Sequence, residues 1–412
     1  MDQPTAPRPA DAENQAPIPF HEFVAMGAAL MALTALGIDS MLPALPAIGA
    51  DLGVGQPNHR QFVITAFLLG FGVAQLALGP LTDRLGRRPV LIGALGVAVL
   101  ANLAAAASPG FEALLAARFV GGMATAGARV VVVAIVRDCF TRRTMAKVMS
   151  LIFMVFMAAP VLAPFFGQAV LAVARWPWIF AGIALVTALA LAWFAVRMPE
   201  TLPIEKRTAI SMFGIVRGYR AVLSDRHSLG YSLAVALLSG GLFGFIGSIQ
   251  PIMADVFAMP HLLGVVFTAI AGTMAAANFA NAQIVERLGS RLVSHSALVA
   301  LIGIAALHLG VALAGGETLI GFIVLQAAMM ACFGLATSNF SAMAMDNMGA
   351  IAGTASSVQG VIATMGGALL GAAIGLAFDG TTVPLYLGFL VLGMMALGVV
   401  ALTERGRLFR PI

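Results

Sequence analysis

Three charged side chains stand inside long apolar stretches of the sequence: Asp39, Arg118 and Arg129. A charge at the centre of a bilayer costs at least about 2.5 to 3.5 kcal/mol on insertion scales, so each needs a partner or a water-filled cavity. A carboxylate in a cavity can change its protonation state, and coupling to a proton gradient requires such a group. Asp39 is the acid placed for this task. We predict that Asp39 binds and releases the coupled proton and that Arg118 is its ion-pair partner.

The depth of the three residues in the membrane decides the expected pairing. Asp39 lies about 18 residues into its stretch, or about 27 Å along a helix, and Arg118 lies about seven residues into a stretch that runs the other way. Both therefore occupy the outer part of the bilayer. Arg129 lies about 16 Å nearer the inner side, where no deep acid is expected. One alternative is a purely structural pair that locks two helices together. Arg129 either contacts carbonyls, water or substrate, or reaches the membrane interface in a structural role.

The composition places these residues in a membrane protein. Of 412 residues, 60% are hydrophobic and 10% are charged, whereas soluble domains carry roughly 25% charged residues. The recurring apolar stretches can each cross a hydrocarbon layer of about 30 Å as a helix. They are longer than barrel strands and apolar on all sides, which favours helices. We predict an all-α membrane protein with twelve transmembrane helices at 22–46, 61–81, 89–107, 111–136, 146–170, 177–197, 229–250, 261–284, 293–314, 318–342, 352–377 and 383–402.

The net charge of +5 indicates membrane topology rather than a nucleic-acid partner. All Lys and Arg except Arg60, Arg118, Arg129 and Arg175 fall in the two tails and in the loops on one side. That asymmetry follows the positive-inside rule. We expect a multi-pass protein of the bacterial inner membrane with both termini in the cytoplasm. A cleaved signal sequence is the alternative reading of the N-terminus.

An internal repeat divides the chain into two pseudo-symmetric halves. The segment 75–88 reads QLALGPLTDRLGRR, and the segment 278–291 reads NFANAQIVERLGSR. Both copies follow the second helix of their half, and Gly86 and Gly289 are expected at tight turns with positive φ. The predicted order is a cytoplasmic tail at 1–20, a six-helix bundle at 21–197, a cytoplasmic linker at 198–228, a six-helix bundle at 229–402 and a cytoplasmic tail at 403–412.

The first copy of the repeat resembles the loop signature G-x-L-x-D-R-x-G-R-R/K of the major facilitator superfamily. The resemblance implies that Asp83 faces the positive N-terminal end of the eleventh helix, while Arg87 and Arg88 stay in the headgroup region. A basic loop that only fixes the topology is the alternative. The residues assigned to this conformational latch are Gly79, Asp83, Arg84, Gly86, Arg87, Arg88, Glu286 and Arg287.

Two further motifs resemble the Bcr/CflA branch of the twelve-span drug:proton antiporters, named for bicyclomycin and chloramphenicol resistance. The segment 39–46 reads DSMLPALP, close to the D-x-x-L-P-A-L-P stretch of that branch, and the segment 118–122 resembles the start of the family's fourth helix. The resemblance covers about residues 20–402. It implies two parallel six-helix halves and a cavity near the midplane between them.

The predicted fifth helix resembles the antiporter signature of drug-exporting facilitators. The segment 159–168 reads APVLAPFFGQ and has alanine at two positions where that signature has glycine. Proline removes a backbone donor and kinks a helix, which a rocking interface between halves can use. The antiporter-helix residues are Pro160, Pro164 and Gly167. An ordinary kinked membrane helix is the alternative.

The predicted substrate pocket is apolar and rich in methionine and phenylalanine, which repack around molecules of different shape. Each of these side chains alone is also compatible with helix packing or lipid contact. The candidate pocket residues are Phe67, Gln75, Arg129, Phe153, Met154, Met157, Phe243, Phe245, Asn278, Gln326 and Asn339.

The expected function is proton-coupled efflux of small amphiphilic drugs, such as phenicol- or bicyclomycin-like compounds, by a monomer in the lipid bilayer. The sequence has no G-x-x-x-x-G-K-[ST] loop, no H-E-x-x-H and no Cys/His cluster at metal spacing, so we expect no ATP-driven pump, cofactor, metal site or enzyme. The alternatives are a facilitator for an endogenous metabolite (amino acid, sugar or siderophore) and a membrane receptor or scaffold.

Overall fold

The chain folds into helices. The structure, a computed structural model, describes residues 16–140, 142–156, 158–207 and 212–409. These residues form α-helices joined by short 3-10 and π turns, and no β-strand occurs among them. The predicted all-α class is confirmed.

Twelve helical segments are long and apolar enough to cross a membrane, as predicted. The largest differences from the predicted bounds are at spans 1, 2 and 7, where the helical segment continues beyond the apolar stretch. In chain order, spans 1 to 12 are Phe20–Asp51, Pro57–Leu85, Arg87–Ala106, Phe111–Cys139, Lys147–Val173, Pro177–Arg197, Arg226–Val256, Pro260–Leu288, Ser290–Leu313, Leu319–Met343, Ala352–Leu376 and Val383–Thr403.

The two halves repeat one packing pattern. Span 4 packs along spans 2 and 3, and span 3 along span 6; in the second half, span 10 packs along spans 8 and 9, and span 9 along span 12. Each pair in the second half is six spans later than its counterpart. The repeat seen in the sequence thus extends to the tertiary structure.

Spans 1, 5 and 11 contact the other half, and spans 1 and 11 change helix type along their length. The first helix of span 1 ends at Asp39, and a 3-10 turn with Pro43 follows before the helix resumes at Leu45. Span 5 consists of helices Arg142–Phe156 and Ala159–Val173, and span 11 has a π turn at Ile362–Gly366. Span 1 contacts span 7 through its 3-10 turn, span 5 contacts span 8, and span 11 contacts span 2. These contacts between spans 1 and 7, 5 and 8, and 11 and 2 form the seam between the halves.

The polar linker contains a helix that the sequence reading did not predict. Helix Met212–Ser224, here called the linker helix, contacts both halves. The hydroxyl of Tyr219 donates a hydrogen bond to the carbonyl of Leu76 in span 2 at 2.8 Å, and Val222 packs with Ala355 and Val358 of span 11. Burial of the Tyr219 hydroxyl raises its pKa above the ordinary value. The linker helix is therefore packed against both halves.

The two ends of the bundle differ in how the halves touch. The basic face carries the 83–88 loop, the linker helix and the end of span 12; the opposite face carries the loop around residue 55. At the opposite face, Asn58 Nδ2 donates to the carbonyls of Leu376 and Phe378 at 3.0 and 2.7 Å. Deeper in the bundle, Thr268 donates to the carbonyl of Val161 at 3.3 Å. These bonds join span 2 to span 11 and span 5 to span 8, so the opposite face is closed.

Candidate functional site

The guanidinium of Arg118 is buried where spans 1, 2 and 4 meet. Only 2% of the residue is exposed. Its Nη2 donates to the carbonyl of Gly37 at 2.6 Å and its Nε to the carbonyl of Val63 at 3.2 Å. The guanidinium carbon lies 4.4 Å from the centroid of the Phe67 ring and 5.5 Å from that of Phe180. Main-chain oxygens and two ring faces thus compensate the charge.

Asp39 lies two residues after Gly37 and is buried without a cation. The residue is 4% exposed, and its Oδ1 has no hydrogen-bond partner among the described residues. The predicted ion pair with Arg118 is wrong, because the two main-chain carbonyls hold the guanidinium and the structure places none of its nitrogens within salt-bridge distance of the carboxylate. A buried carboxyl group without a partner is costly in its charged form.

Span 5 packs directly against the end of span 1 that carries Asp39. A Cβ added to Gly167 would overlap the carbonyl oxygen of Ser40 and lie 3.0 Å from Cγ of Pro43. Glycine at this position therefore permits the close approach of the two spans. Pro160 lies in the first turn of helix Ala159–Val173 of span 5, and Pro164 lies inside that helix. Gly167 thus adjoins the Asp39 region, and Pro160 and Pro164 lie in the same helix.

Five predicted pocket residues are packed in this conformation, and their assignment to the substrate pocket stays a prediction. Phe67, Gln75, Phe245, Gln326 and Asn339 are each at most 5% exposed. Gln75 donates from Nε2 to the hydroxyl of Thr364 at 3.4 Å across the seam between the halves. Of the other candidates, Phe243 and Asn278 are half-buried, Arg129, Phe153 and Met154 are exposed, and Met157 lies outside the described residues.

The loop between spans 2 and 3 holds a buried arginine between carboxylates. Arg87 is 2% exposed; its Nη1 lies 2.6 Å from Oδ1 of Asp83, and its Nε lies 2.9 Å from Oδ2 of Asp138. The predicted headgroup position of Arg87 is therefore wrong. The carboxylates of Asp138, whose side chain is 15% exposed, and Asp83, whose side chain is 43% exposed, hold its charge there.

The predicted contact of Asp83 with span 11 is replaced by contacts within its own half. The partners of Asp83 are Arg87 and, at 3.9 Å, Arg137 of span 4. Arg137 also adjoins the start of span 11, since a Cβ on Gly353 would lie 3.8 Å from its Nη1. A cation rather than an acid therefore adjoins this helix N-terminus.

Glu200, which follows span 6, joins spans 3 and 6. Its carboxylate accepts hydrogen bonds from the main-chain N–H of Arg87 at 2.9 Å and of Arg88 at 3.2 Å, so it caps the first turn of span 3. Arg88 in turn donates to the carbonyls of Ala195 and Met198 at the end of span 6. Arg88 is thus bound to protein rather than to the headgroup region as predicted. No local pattern indicated Glu200, because its partners are distant in sequence.

The second copy of the loop lacks this network. Glu286 and Arg287 are exposed, and no hydrogen bond or ion pair involves either of them within the described part of the chain. Nε of Arg291 lies 3.3 Å from Glu404, which follows span 12, and Tyr231 also donates to Glu404. Arg291 therefore binds the end of span 12, much as Arg88 binds the end of span 6.

A buried polar cluster in the second half was missed by the sequence reading. Nε2 of His308 lies 2.7 Å from Oε1 of Glu317, the hydroxyl of Thr382 donates to the same carboxylate, and the His308 ring stacks on Tyr386. A histidine inside the apolar run of span 9 was the available signal. The cluster joins spans 9, 10 and 12. No group of three or more His, Cys, Asp or Glu with metal-binding geometry occurs among the described residues.

Two six-helix halves with matching span pairs, and a charged site buried between spans 1, 2, 4 and 5, define a polytopic membrane transporter. Residues 27–375 match the family model of the Major Facilitator Superfamily, and the chain belongs to that family. It is 31% identical to the uncharacterized MFS-type transporter YdgK of Bacillus subtilis over 86% of this chain and 89% of that protein. It is 32% identical to the bicyclomycin resistance protein homolog of Haemophilus influenzae over 84% of this chain and 86% of that protein.

The relatives place the chain in the Bcr/CflA branch that the motifs indicated. Among solved structures, the human organic anion transporter MFSD10 superimposes with a TM-score of 0.65 at 22% identity, covering 93% of this chain and all of that one. That likeness concerns the fold alone.

Proposed function

We propose that the chain exports small amphiphilic drugs by alternating access, in exchange for protons that bind Asp39. One observation carries the proposal: the carboxyl group of Asp39 is buried at the meeting of spans 1, 2, 4 and 5, and its Oδ1 has no hydrogen-bond partner in the part of the chain that the structure describes. A structural acid would be paired, because an unpaired buried charge is costly. A protonated acid avoids that cost and can release its proton when the site opens to water.

Arg118 acts in this proposal through position rather than through an ion pair. Its bond to the carbonyl of Gly37 holds the last turn of the span 1 helix, two residues before Asp39. Opening of the seam hydrates this turn and exposes the carboxyl group to solvent. Since proton and drug must favour opposite states for antiport, protonation of Asp39 favours the conformation that releases the drug.

The drug-export part of the proposal is supported by the branch of the family. A relative that spans most of this chain is named a bicyclomycin resistance protein homolog. Phe67 of span 2 and Phe245 of span 7 supply one buried aromatic side chain from each half, which suits a pocket for apolar molecules. We infer that small neutral or weakly charged amphiphiles are transported and that the chain acts as a monomer.

The orientation proposed for the chain follows the charge asymmetry. The basic face carries Arg84, Arg88 and Arg217, among other basic residues. We therefore place this face on the cytoplasmic side of a bacterial inner membrane, with both termini on that side. The opposite face, which the bonds of Asn58 close, is then periplasmic. The structure corresponds in this frame to a conformation sealed from the periplasm.

The test is uphill drug transport by purified protein in liposomes with an imposed pH gradient. We expect Asp39→Asn to abolish pH-driven accumulation while keeping drug binding, which loses its dependence on pH. The matched control is Asp51→Asn, because Asp51 lies on the opposite face and accepts a hydrogen bond from Arg175 at 2.8 Å. Undiminished uphill transport by Asp39→Asn contradicts the role of Asp39. No drug transport by the unmodified chain contradicts drug export itself and favours a metabolite carrier.

A further inference from the structure

One face of span 4 changes from packed to exposed along its length. Arg129 lies eleven residues after Arg118, so the two side chains point in directions only about 20° apart around the helix. Near Arg118 this face is covered, and a Cβ added to Gly122 would overlap the carbonyl oxygen of Phe67 in span 2. From Arg129 to Val133, four residues later, the same face is exposed. The side of span 4 that packs on span 2 near Arg118 is therefore exposed in the part of the helix nearer the basic face.

The first helix of span 5 adjoins span 4. Spans 5 and 8 touch near the opposite face, where Gly264 lies against Phe165 and Gln168. Towards the basic face, span 5, which packs on span 4, exposes the apolar side chains of Phe153 and Met154. Span 4 thus contributes a guanidinium and span 5 contributes apolar surface to the same end of the first half.

Arg129 has no counter-charge on this exposed face. Within the described residues, no acid lies at salt-bridge distance from its guanidinium and no hydrogen bond involves it, unlike Arg87, Arg118, Arg137 and Arg197. Asp39 is buried about 16 Å farther along the membrane normal, near the level of Arg118. A guanidinium without a carboxylate, on an accessible face inside a membrane protein, selects a ligand that brings its own anionic or acceptor group.

We propose that Arg129 is a substrate-binding residue and that the preferred substrates are amphiphilic organic anions: an apolar aromatic body with a carboxylate, sulfonate or phenolate group. This inference rests on the proposed export function and adds its charge preference. The guanidinium donates two hydrogen bonds to the anionic group, and the side chains of span 5 contact the apolar body. Organic cations are disfavoured, because their charge would lie against Arg129 in a region of low dielectric constant.

The anion and the proton occupy separate sites in this arrangement. The distance of about 16 Å along span 4 between the levels of Arg129 and Arg118 prevents direct contact of a small substrate with both. Proton and anion are therefore coupled through the opening and closing of the seam. Exchange of one proton inward for one monovalent anion outward moves two positive charges inward, so transport of such an anion is driven by the membrane potential as well as by the pH gradient.

The experiment compares two dyes with the same xanthene ring system, fluorescein as the anion and rhodamine 123 as the cation, by fluorescence anisotropy with purified protein in detergent. The unmodified chain is expected to bind fluorescein more tightly. Arg129→Gln should weaken fluorescein binding by at least about ten-fold, the effect of losing a charge-assisted hydrogen bond, and leave rhodamine binding equal or tighter. Arg129→Lys should keep part of the preference, and Arg129→Glu should reverse it.

The control is Arg407→Gln, which removes the same charge from an exposed position after span 12 and should change neither affinity. If the variants do not fold, displacement of fluorescein from the unmodified chain by naphthoate and by naphthylammonium gives the same comparison. Equal displacement by the two isosteres overturns the assignment, as does unchanged fluorescein affinity in Arg129→Gln. An unmodified chain that exports neutral drugs but binds no anion overturns the charge preference alone and leaves the export function standing.

Discussion

The two copies of the loop after the second span of each half share a backbone and differ in their charges. Gly86 and Gly289 both have positive φ, 101° and 79°, and each ends one helix and begins the next. In the first copy Arg87 is buried between Asp83 and Asp138, whereas Ser290 stands at the equivalent position of the second copy. The turn is therefore conserved between the copies, and the charge network is confined to the first.

This difference shows which part of the signature does which task. The glycine creates the turn, because a side chain is poorly tolerated at that φ. The arginine after it ties span 3 to span 4 through Asp138, and the capping acid Glu200 adds span 6. Ion pairs and charged hydrogen bonds thus join the spans of the first half at the basic face. In the second half, Glu404 joins the ends of spans 7, 9 and 12 through Tyr231 and Arg291.

The largest expected difference between the copies is at Arg87 and Ser290. Arg87→Ala leaves Asp83 and Asp138 without their shared cation, and we expect a loss of about 3 kcal/mol in the free energy of unfolding, as for a broken buried ion pair. Ser290→Ala should change it by less than about 0.5 kcal/mol. Unfolding in mixed SDS and detergent micelles measures both. Equal losses would show that the buried network adds nothing to the stability of the first half.

The turns themselves give a smaller difference. Alanine at either glycine adopts a sparsely populated backbone conformation at a cost of about 1 to 3 kcal/mol. At Gly86 the new Cβ would also overlap the Glu200 carboxylate, whereas at Gly289 it would meet nothing within 4 Å. We therefore expect Gly86→Ala to lower the unfolding free energy more than Gly289→Ala, by about 1 kcal/mol. The same unfolding assay decides it, and a larger loss at Gly289 would contradict the role of Glu200.

The smallest difference concerns the acids at equivalent positions of the two copies, Asp83 and Glu286. Asp83 retains 43% of its side-chain exposure beside Arg87, so Asp83→Asn should cost about 1 kcal/mol or less; Glu286→Gln, on an exposed side chain, should cost nothing measurable. Because Asp83 makes no hydrogen bond or ion pair with the described residues of span 11, spin-label distances across the basic face should shift little in Asp83→Asn. A large shift would restore the latch between the halves that the sequence predicted.

Much of the fold was predictable because its signals are local. The twelve spans follow from apolar runs that need only a membrane to become helices, and each predicted stretch overlaps an observed span. The linker helix was not predictable in this way. Its stability depends on the contacts of Tyr219 with span 2 and of Val222 with span 11. Its own sequence has no apolar run that predicts a helix.

The site was predictable only in the identity of its residues. The scarcity of charge in apolar runs singled out Asp39, Arg118 and Arg129, and the structure buries the first two near one another. Their partners could not be deduced. Arg118 is satisfied by the carbonyls of Gly37 and Val63, and main-chain oxygens are present at every residue, so no sequence pattern distinguishes these two.

The sequence by itself determined the class, the number of spans, the pseudo-repeat and the turn glycines, because hydrophobicity and backbone preference act over a few residues. Only the tertiary structure decided that Arg87 is buried between Asp83 and Asp138, that Asp39 lacks a cation, and that Arg129 lies on an accessible face. Those facts depend on which spans approach each other and at what depth. Charges are stabilised by whatever lies within a few ångströms in space, and in this chain those neighbours come from spans far apart in sequence.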